Sequence, residues 1–199
     1  MENKKTIVYF VRHAEPNNQN HDEMMRELTP KGMADRALVT AFLADKCVNA
    51  VLSSPYKRAV DTVSHYAKAH GMEVTTIEGF HEQRVDGWVN DFFAFVHRQW
   101  TDFDARLGGG ETLREVQQRN MAALHGVLER YAGRTVVIGS HGTALSCIVN
   151  HYQPTFGVED FMRILHLTPW VVRFAFEGKD CVGIEEYDLF SGMKKHILE

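Results

Sequence analysis

The sequence predicts an α/β protein, a three-layer sandwich in which helices flank a mostly parallel central sheet and a small helical cap is inserted. Two observations carry this prediction. Strand and helix patterns alternate along the 199 residues, and strand segments such as 6–11 and 135–139 have no polar face, as in parallel sheets covered on both sides. A chain of this length can bury one good core, so we expect a single domain over residues 1–199.

Helix starts are marked by polar residues that can cap them. Thr29 and Ser54 each precede a proline, which suits the first helical turn. Thr112 and Glu115 form a capping box ahead of an apolar stripe at helical spacing, and a further helix is expected to start at residue 141. The remaining strands are predicted at residues 50–53, 73–77, 170–176 and 182–187, the last two as a candidate antiparallel hairpin around Gly178.

Residues 88–103 are rich in aromatic side chains and lack a regular period. They predict a helical excursion from the sheet, a cap-like insertion at about residues 80–110. Two interpretations stay open: the aromatic side chains line or cover a pocket, or they form the core of the cap. The side chains concerned are Trp88, Phe92, Phe93, Phe95 and Trp100.

Composition argues against several classes of function. A formal net charge of −4 and a pI of about 6.3 leave no basic footprint for nucleic acid or an anionic membrane. No apolar stretch is long enough to span a bilayer, and no signal-peptide pattern is visible. The three cysteines form no C-x-x-C pair and the eleven histidines no H-x-x-x-H spacing, so we expect no metal and no cofactor. We expect a reduced, cytoplasmic protein with a small-molecule partner, and the oligomeric state is left open.

Arginine and histidine side chains, which can bind an anion, follow three of the predicted strands. The first strand ends in Arg12 and His13, the second leads into a helix whose first turn carries Arg58, and the strand at 135–139 leads to His141. The carboxyl ends of parallel strands meet at one edge of a sheet, where ligands bind. Each of these residues alone is most often an ordinary surface or capping residue. Together they would form a cationic pocket, and arginine forks match the oxygens of a phosphate.

Five short motifs occur along the chain in a fixed order. They are R-H-A-E at 12–15, L-T-P-K-G at 28–32, S-S-P-Y-K-R-A at 53–59, G-E-T at 110–112 and G-S-H-G-T at 139–143. Each motif alone is weak, but their order resembles the histidine phosphatase superfamily, which has the phosphoglycerate mutase-like fold. The resemblance covers roughly residues 6–145.

The resemblance implies a role for each matching residue. His13 would be the nucleophile, and His141 a second catalytic residue that clamps the phosphate together with Arg12 and Arg58. The helix that begins near Gly142 would add backbone N–H donors to the phosphate.

The acid that protonates the leaving oxygen would come from the middle of the chain, and Glu82 matches best. In the family this glutamate is often followed, after a short spacer, by Gly-x-Trp. Here Gly87 and Trp88 follow, so the tryptophan spacing fits while the glycine is displaced. Glu78 and Asp86 remain alternatives.

The chain departs from the family pattern on the loop after the nucleophile. Ala14 stands where the family has glycine, and alanine disfavours a positive φ. The family's asparagine on this loop has no clean counterpart, and the candidates are Asn17, Asn18, Gln19 and Asn20. Asn18 is taken as the phosphate ligand, with the register unresolved.

These residues predict a metal-independent phosphomonoester hydrolase that acts through a phosphohistidine intermediate on a small phosphorylated metabolite. One alternative is phosphoglycerate mutase-type phosphoryl transfer. Mutases of this family follow the acid with Arg-His-Tyr-Gly, whereas Gln-Arg-Val-Asp stands here at 83–86, which favours hydrolysis. The other alternative is a catalytically silent module that binds a phosphate or a phosphoprotein.

Overall fold

A computed structural model describes residues 4–87 and 89–198. Within these residues, seven strands form one sheet in the order β3-β2-β4-β1-β5-β6-β7. The strands are β1 Thr6–Arg12, β2 Ala50–Ser53, β3 Val74–Thr76, β4 Thr135–Ser140, β5 Trp170–Glu177, β6 Asp180–Tyr187 and β7 Lys194–Leu198. The helices are α1 Pro30–Leu43, α2 Lys57–Ala69, α3 Phe92–Thr101, α4 Leu113–Arg130, α5 Gly142–Tyr152 and α6 Val158–Ile164.

The core of the sheet is parallel, as the sequence predicts. Strands β3, β2, β4 and β1 run parallel to one another, so the carboxyl ends of β2, β4 and β1 lie side by side. Strands β5, β6 and β7 extend the sheet in antiparallel fashion, and β5 and β6 form the hairpin expected around Gly178. Strand β7 has no counterpart in the sequence prediction because its mostly exposed Lys-Lys-His start lacks an apolar run.

The sheet is the middle of three layers, which confirms the predicted sandwich. Along β1, Val8 and Phe10 point to one face, where they pack against α4 and α5. Tyr9 and Val11 point to the other face and pack against α1 and α2. Side chains alternate across a strand, and all four of these are buried, so the strand has no polar face.

Two of the predicted helix caps are confirmed and one is wrong. The Thr29 hydroxyl accepts the backbone N–H of Gly32 at the start of α1, and Thr112 forms its capping box at the start of α4. Helix α2, in contrast, begins at Lys57 after Tyr56, with no side-chain cap. The Ser54 hydroxyl, expected to cap this helix, is engaged within the site described below.

The segment between β3 and α4 leaves the sheet. It contains a 3₁₀ helix at Glu78–Phe80 and then α3, which packs against α6. This is the helical excursion expected from the aromatic-rich sequence, while its status as a cap-like insertion stays a prediction. Trp88 lies outside the described residues. In the rest of the segment and in every other described part of the chain, no helix is long and apolar enough to cross a membrane.

Candidate active site

A cavity of about 940 Å³ opens at the carboxyl ends of the parallel strands. Its lining contains six of the seven site residues that the sequence predicts, namely Arg12, His13, Asn18, Arg58, Glu82 and Gly142. Residues from four separate parts of the chain therefore meet at one place. The seventh, His141, is buried next to His13.

His13 follows directly on β1 and is only 6 % exposed. Its Nδ1 lies 2.8 Å from the carbonyl oxygen of Ala14. A carbonyl oxygen only accepts hydrogen bonds, so Nδ1 carries the proton and Nε2 keeps a lone pair. Burial lowers the pKa of His13 well below its usual 6.5, and the positive charges of Arg58 and Arg12 lower it further. The imidazole is therefore neutral at pH 7 with a lone pair on Nε2.

The loop after His13 is fixed by neighbouring helices. The Ala14 N–H donates to the hydroxyl of Thr62 (3.0 Å), and the Thr29 N–H donates to the carbonyl oxygen of Glu15 (2.9 Å). A Cβ on Gly32 would lie 2.3 Å from that same Glu15 oxygen, so only glycine lets α1 approach so closely. Ala14 is not among the described residues with a positive φ, so alanine fits there without backbone strain.

Backbone carbonyl groups hold one edge of the Arg12 guanidinium. Its Nη1 donates to the carbonyl oxygens of Ile164 (2.6 Å), Leu165 (3.2 Å) and Leu167 (3.4 Å) at the end of α6. Its Nε is buried and has no partner within the described chain. A Cβ on Gly142 would lie 3.3 Å from this guanidinium. Burial lowers the pKa of Arg12 to about 10, which leaves it charged at neutral pH.

Arg58 is 2 % exposed and bound by a carboxylate. Its Nη1 donates to the main-chain oxygen of Glu23 (2.6 Å), and its Nη2 to the Glu23 carboxylate (3.0 Å). The Glu23 side chain is 55 % exposed and also binds Arg26 at 2.6 Å. The Glu23 carboxylate therefore already occupies part of the Arg58 guanidinium, which the sequence analysis assigns to phosphate binding.

His141 is fully buried, with its ring centroid 5.3 Å from that of His13. Its Nε2 lies 2.8 Å from the Ser54 hydroxyl oxygen, and its Nδ1 has no partner among the described side chains and backbone. Burial lowers the pKa of His141 well below 6.5, and Arg58 lowers it further. Because both imidazoles are neutral at pH 7, the positive charge beside them comes from the guanidinium groups of Arg12 and Arg58.

Glu82 caps helix α5. Its Oε1 accepts the backbone N–H groups of Ala144 (2.9 Å) and Gln83 (2.8 Å), and its Oε2 accepts that of Thr143 (3.0 Å). A carboxylate at a helix N-terminus interacts favourably with the helix dipole. Two of the N–H groups expected to face a phosphate therefore serve Glu82, while Gly142 stays at the cavity.

A half-buried ion pair holds the segment that carries this carboxylate. Arg119 donates from Nε and Nη2 to the two carboxylate oxygens of Glu111 (3.0 and 2.9 Å), and from Nη1 to the carbonyl oxygen of Gly79 (2.9 Å). Glu111 also accepts the N–H of Arg84 at 2.9 Å. The segment is thus tied on both sides of residue 82. The G-E-T motif signalled Glu111, but nothing in the spacing signalled its partner Arg119.

The two alternative acids lie outside the cavity lining. Glu78 is paired with Arg84 (3.3 Å) and its side chain is 64 % exposed. The Asp86 carboxylate is exposed and accepts the N–H of Gly109 (2.9 Å). Of the three carboxylates considered from the sequence, only Glu82 lines the cavity.

The asparagine register is also narrowed by geometry. The side-chain amides of Asn17 and Asn20 donate to the carboxylate of Glu27 (2.6 and 2.7 Å). Asn18 and Gln19 are both exposed, and of the two Asn18 lines the cavity. Asn18 is therefore placed to meet a ligand, and its contact with phosphate stays a prediction.

The described residues hold no group of three or more His, Cys, Asp and Glu side chains arranged for a metal ion. The carboxylates that line the cavity are engaged elsewhere: Glu15 with Thr29, Glu23 with Arg58, and Glu82 with α5. The absence of a metal or cofactor requirement stays a prediction for experiment.

Comparison with known proteins decides the family. The model of the histidine phosphatase superfamily (branch 1) matches residues 8–185. The chain belongs to the histidine phosphatase superfamily. This match confirms the resemblance drawn from the five motifs, and it spans both the parallel core and the antiparallel hairpin.

Relatives of this histidine phosphatase superfamily member carry several activities in their names. A probable phosphoglycerate mutase GpmB from Yersinia pestis is 28 % identical over 156 residues, 72 % of this chain and 73 % of that protein. A phosphoserine phosphatase from Entamoeba histolytica, solved with 3-phosphoglyceric acid, has a TM-score of 0.73 at 20 % identity, covering 89 % of this chain and 94 % of its own. A mycobacterial glucosyl-3-phosphoglycerate phosphatase has a TM-score of 0.72 at 16 % identity, covering 98 % of both chains. At these identities the solved structures show the shared fold.

The contact between Arg58 and Glu23 leads to a first prediction for this superfamily member. Arg58→Ala should weaken binding of inorganic phosphate or vanadate about 10- to 100-fold, the range for hydrogen bonds to charged groups. Glu23→Gln should tighten it by up to about five-fold, since the Glu23 side chain is 55 % exposed and solvent limits its attraction for Arg58 to about 1 kcal/mol. Calorimetric titration of the folded variants measures both constants.

Arg58→Lys is the matched control, because it keeps the charge and loses the fork, so its affinity should fall between wild type and Arg58→Ala. Thermal unfolding checks that each variant is folded. If Arg58→Ala binds phosphate as tightly as wild type, the clamp assignment is wrong.

Proposed function

We propose that this protein hydrolyses phosphate monoesters of small metabolites without a metal ion, through a phosphohistidine formed on His13. The observation that carries the proposal is the state of His13: a neutral imidazole at the cavity, with its lone pair on Nε2 and two buried guanidinium groups beside it. A neutral nucleophile avoids the repulsion that an anion would meet at a phosphate dianion. Phosphoryl transfer depends mainly on such positioning and charge stabilisation.

In the first step, His13 Nε2 forms a bond to phosphorus while the bond from phosphorus to the ester oxygen breaks. Arg12, through its unpartnered Nε, and Arg58 stabilise the negative charge on the phosphoryl oxygens. The imidazole becomes positive as the bond forms. The carbonyl of Ala14, 2.8 Å from Nδ1, stabilises that charge by accepting its hydrogen bond.

Glu82 supplies the proton that the departing oxygen needs. A phosphate dianion entering the cavity would repel the carboxylate, and a proton shared between them removes the repulsion. After donating, Glu82 is again the carboxylate that accepts the N–H groups of Thr143 and Ala144. In the second step it takes a proton from the water that attacks the phosphohistidine.

His141 donates a hydrogen bond to the phosphoryl group in this scheme. The Ser54 hydroxyl oxygen accepts the N–H of Tyr56 (3.2 Å), so its own proton is free to point at His141 Nε2. The proton of His141 is then on Nδ1, the nitrogen that has no partner among the described residues. A neutral histidine thereby acts as a donor.

Two other activities share this geometry. Mutase-type transfer is favoured by the Yersinia pestis relative, named a probable phosphoglycerate mutase. The solved relatives from Entamoeba histolytica and mycobacteria are named phosphatases, and the Gln-Arg-Val-Asp run at 83–86 departs from the mutase pattern. A silent binding module has no use for both a nucleophile and an acid in one cavity. We therefore place hydrolysis first.

The cysteines bear on the compartment. Cys47 is exposed, Cys147 is buried and Cys181 is half-buried, and all three are free thiols. Free thiols suit a reducing compartment. The proposal accordingly places the protein in the cytoplasm, acting on small molecules and not on nucleic acid.

The proposal predicts turnover of nitrophenyl phosphate in excess chelator, with the released phosphate carrying one ¹⁸O atom when the reaction runs in H₂¹⁸O. Mutase chemistry would instead convert 3-phosphoglycerate to its isomer without incorporating ¹⁸O. Phosphorus NMR distinguishes the two products and the isotope shift. Phosphate binding without turnover, or turnover only after a divalent metal is added, would contradict the proposed function.

A further inference from the structure

The cavity is much larger than a phosphate, and its chemistry changes from one side to the other. Around His13 it presents two guanidinium groups. A separate part of its wall is apolar and comes mainly from α3 and the end of α6. The principal apolar side chains of that wall are Phe92, Phe95, Val96, Trp100, Phe161 and Leu165.

Helix α3 turns one face to the cavity. Phe92, Phe95 and Val96 follow each other at helical spacing, and all line the cavity. Phe93, one position away, is 60 % exposed and does not line it. Phe92 is 44 % exposed, so a large part of its ring is available to a ligand.

Trp100 differs from Phe92 and Phe95 because it belongs to a packed aromatic cluster. Its ring packs against Phe103 and Phe161, with centroid distances of 5.5 Å in each case. It therefore forms the base of the wall. The two interpretations of the aromatic segment thus each hold for part of it: Trp100 reaches the cavity from a packed aromatic cluster, whereas Phe92 and Phe95 line the cavity from one face of α3.

Positive charge is scarce away from the phosphate-facing side. Among the described lining residues, the only arginine besides Arg12 and Arg58 is Arg26, and there is no lysine. Arg26 is held by a main-chain carbonyl (2.7 Å) and a carboxylate (2.6 Å). His21 and His166 also line the cavity, and an imidazole does not present the paired N–H donors of a guanidinium. A substrate with a second acidic group would find no ready fork there.

We propose that this cavity selects phosphate monoesters of apolar alcohols or phenols over phosphates that carry a second acidic group. This inference rests on the proposed function, because it places the phosphate at His13. The rest of the substrate then lies along Phe92 and Phe95. Each methylene that leaves water against this wall should raise kcat/KM by about two- to four-fold.

A series of primary alkyl phosphates from ethyl to octyl, used below their micelle concentrations, tests the inference. The leaving alcohols are chemically alike, so differences in kcat/KM report binding to the wall. We expect a rise of about 10²-fold from ethyl to octyl phosphate, with 3-phosphoglycerate well below octyl phosphate. A flat series, or a preference for 3-phosphoglycerate, would overturn the inference and leave the proposed hydrolysis intact.

Non-hydrolysable phosphonates test binding to the apolar wall independently of the proposed hydrolysis. Tighter calorimetric binding of octylphosphonate than of ethylphosphonate supports the apolar wall even in a preparation that turns nothing over. Absence of turnover with every ester would reject the proposed function alone. Equal affinities for octylphosphonate and ethylphosphonate would reject the apolar wall as a binding surface.

Phe92→Ala and Phe93→Ala form a matched pair, since both remove an exposed phenyl ring from neighbouring positions of α3. Phe92→Ala should lower kcat/KM for octyl phosphate about five- to ten-fold, with a smaller loss for ethyl phosphate. Phe93→Ala should leave the length dependence unchanged. Equal effects of the two substitutions would show that α3 does not contact the substrate as assigned.

Discussion

Replacing His13 with alanine is expected to remove nearly all turnover, by at least about 10⁴-fold, since loss of a covalent nucleophile in other enzymes costs up to about 10⁶. Among the described residues that line the cavity, no other group combines a free lone pair with this position beside Arg12 and Arg58. Rapid quenching of the wild type in base should trap a phosphoenzyme that is stable in base and labile in acid. Peptide mapping should place the phosphate on the fragment that contains His13.

His141→Ala is the matched control for this experiment, because it removes a neighbouring buried imidazole that carries no covalent role. It should slow turnover yet still accumulate label on the His13 peptide. Phosphate recovered on Ser140, on the His141 peptide of the wild type, or on no residue would reject the covalent assignment. Thermal unfolding of both variants separates loss of chemistry from loss of fold.

The position of the site follows from the sequence because parallel strands fix where their ends lie. Once residues 6–11 and 135–139 are taken as parallel strands, Arg12, His13 and His141 must share one edge of the sheet. Contacts between elements override local rules, however. Ser54 precedes a proline as a cap would, yet its hydroxyl lies against His141, 87 positions away in the sequence. Helix α2 starts at Lys57, three residues after Ser54.

The partners of the site residues are the part that the sequence does not reveal. Glu23 lies in a loop without periodicity, 35 residues from Arg58, and only the fold brings its carboxylate to the guanidinium. Arg119 lies on α4 among other charged residues, and its contact with Gly79 depends on how the segment before the acid packs. Sequence motifs therefore reveal the residues that contact a ligand. They do not reveal partners such as Glu23 and Arg119 that hold those residues in place.

Glu82 shows how a residue can be found from a motif while its structural role stays hidden. The resemblance points to an acid, whereas the structure shows a carboxylate that accepts three N–H groups, two of them from α5. The two roles are compatible if the proton is held only while a phosphate is present. They also mean that a substitution at Glu82 changes both catalysis and a helix cap, which the experiment has to separate.

Glu82→Gln should slow alkyl phosphates severely, by about 10² to 10⁴ in rate, the usual range for a positioned general acid. A nitrophenolate leaves readily without a proton, so the loss on nitrophenyl phosphate should be distinctly smaller in the step that forms the phosphoenzyme. Burst amplitudes must be measured alongside steady-state rates, because Glu82 is also the proposed base toward water, so dephosphorylation is expected to slow in the variant. Glu78→Gln, at an exposed carboxylate outside the cavity lining, is the matched control and should change the rate for neither substrate.

A general loss of structure at α5 would lower the rate for both substrates alike, and thermal unfolding would detect it. Equal losses on both substrates in the burst of a fully folded variant would mean that Glu82 only caps α5 and shapes the cavity, and that the leaving oxygen takes its proton from another source.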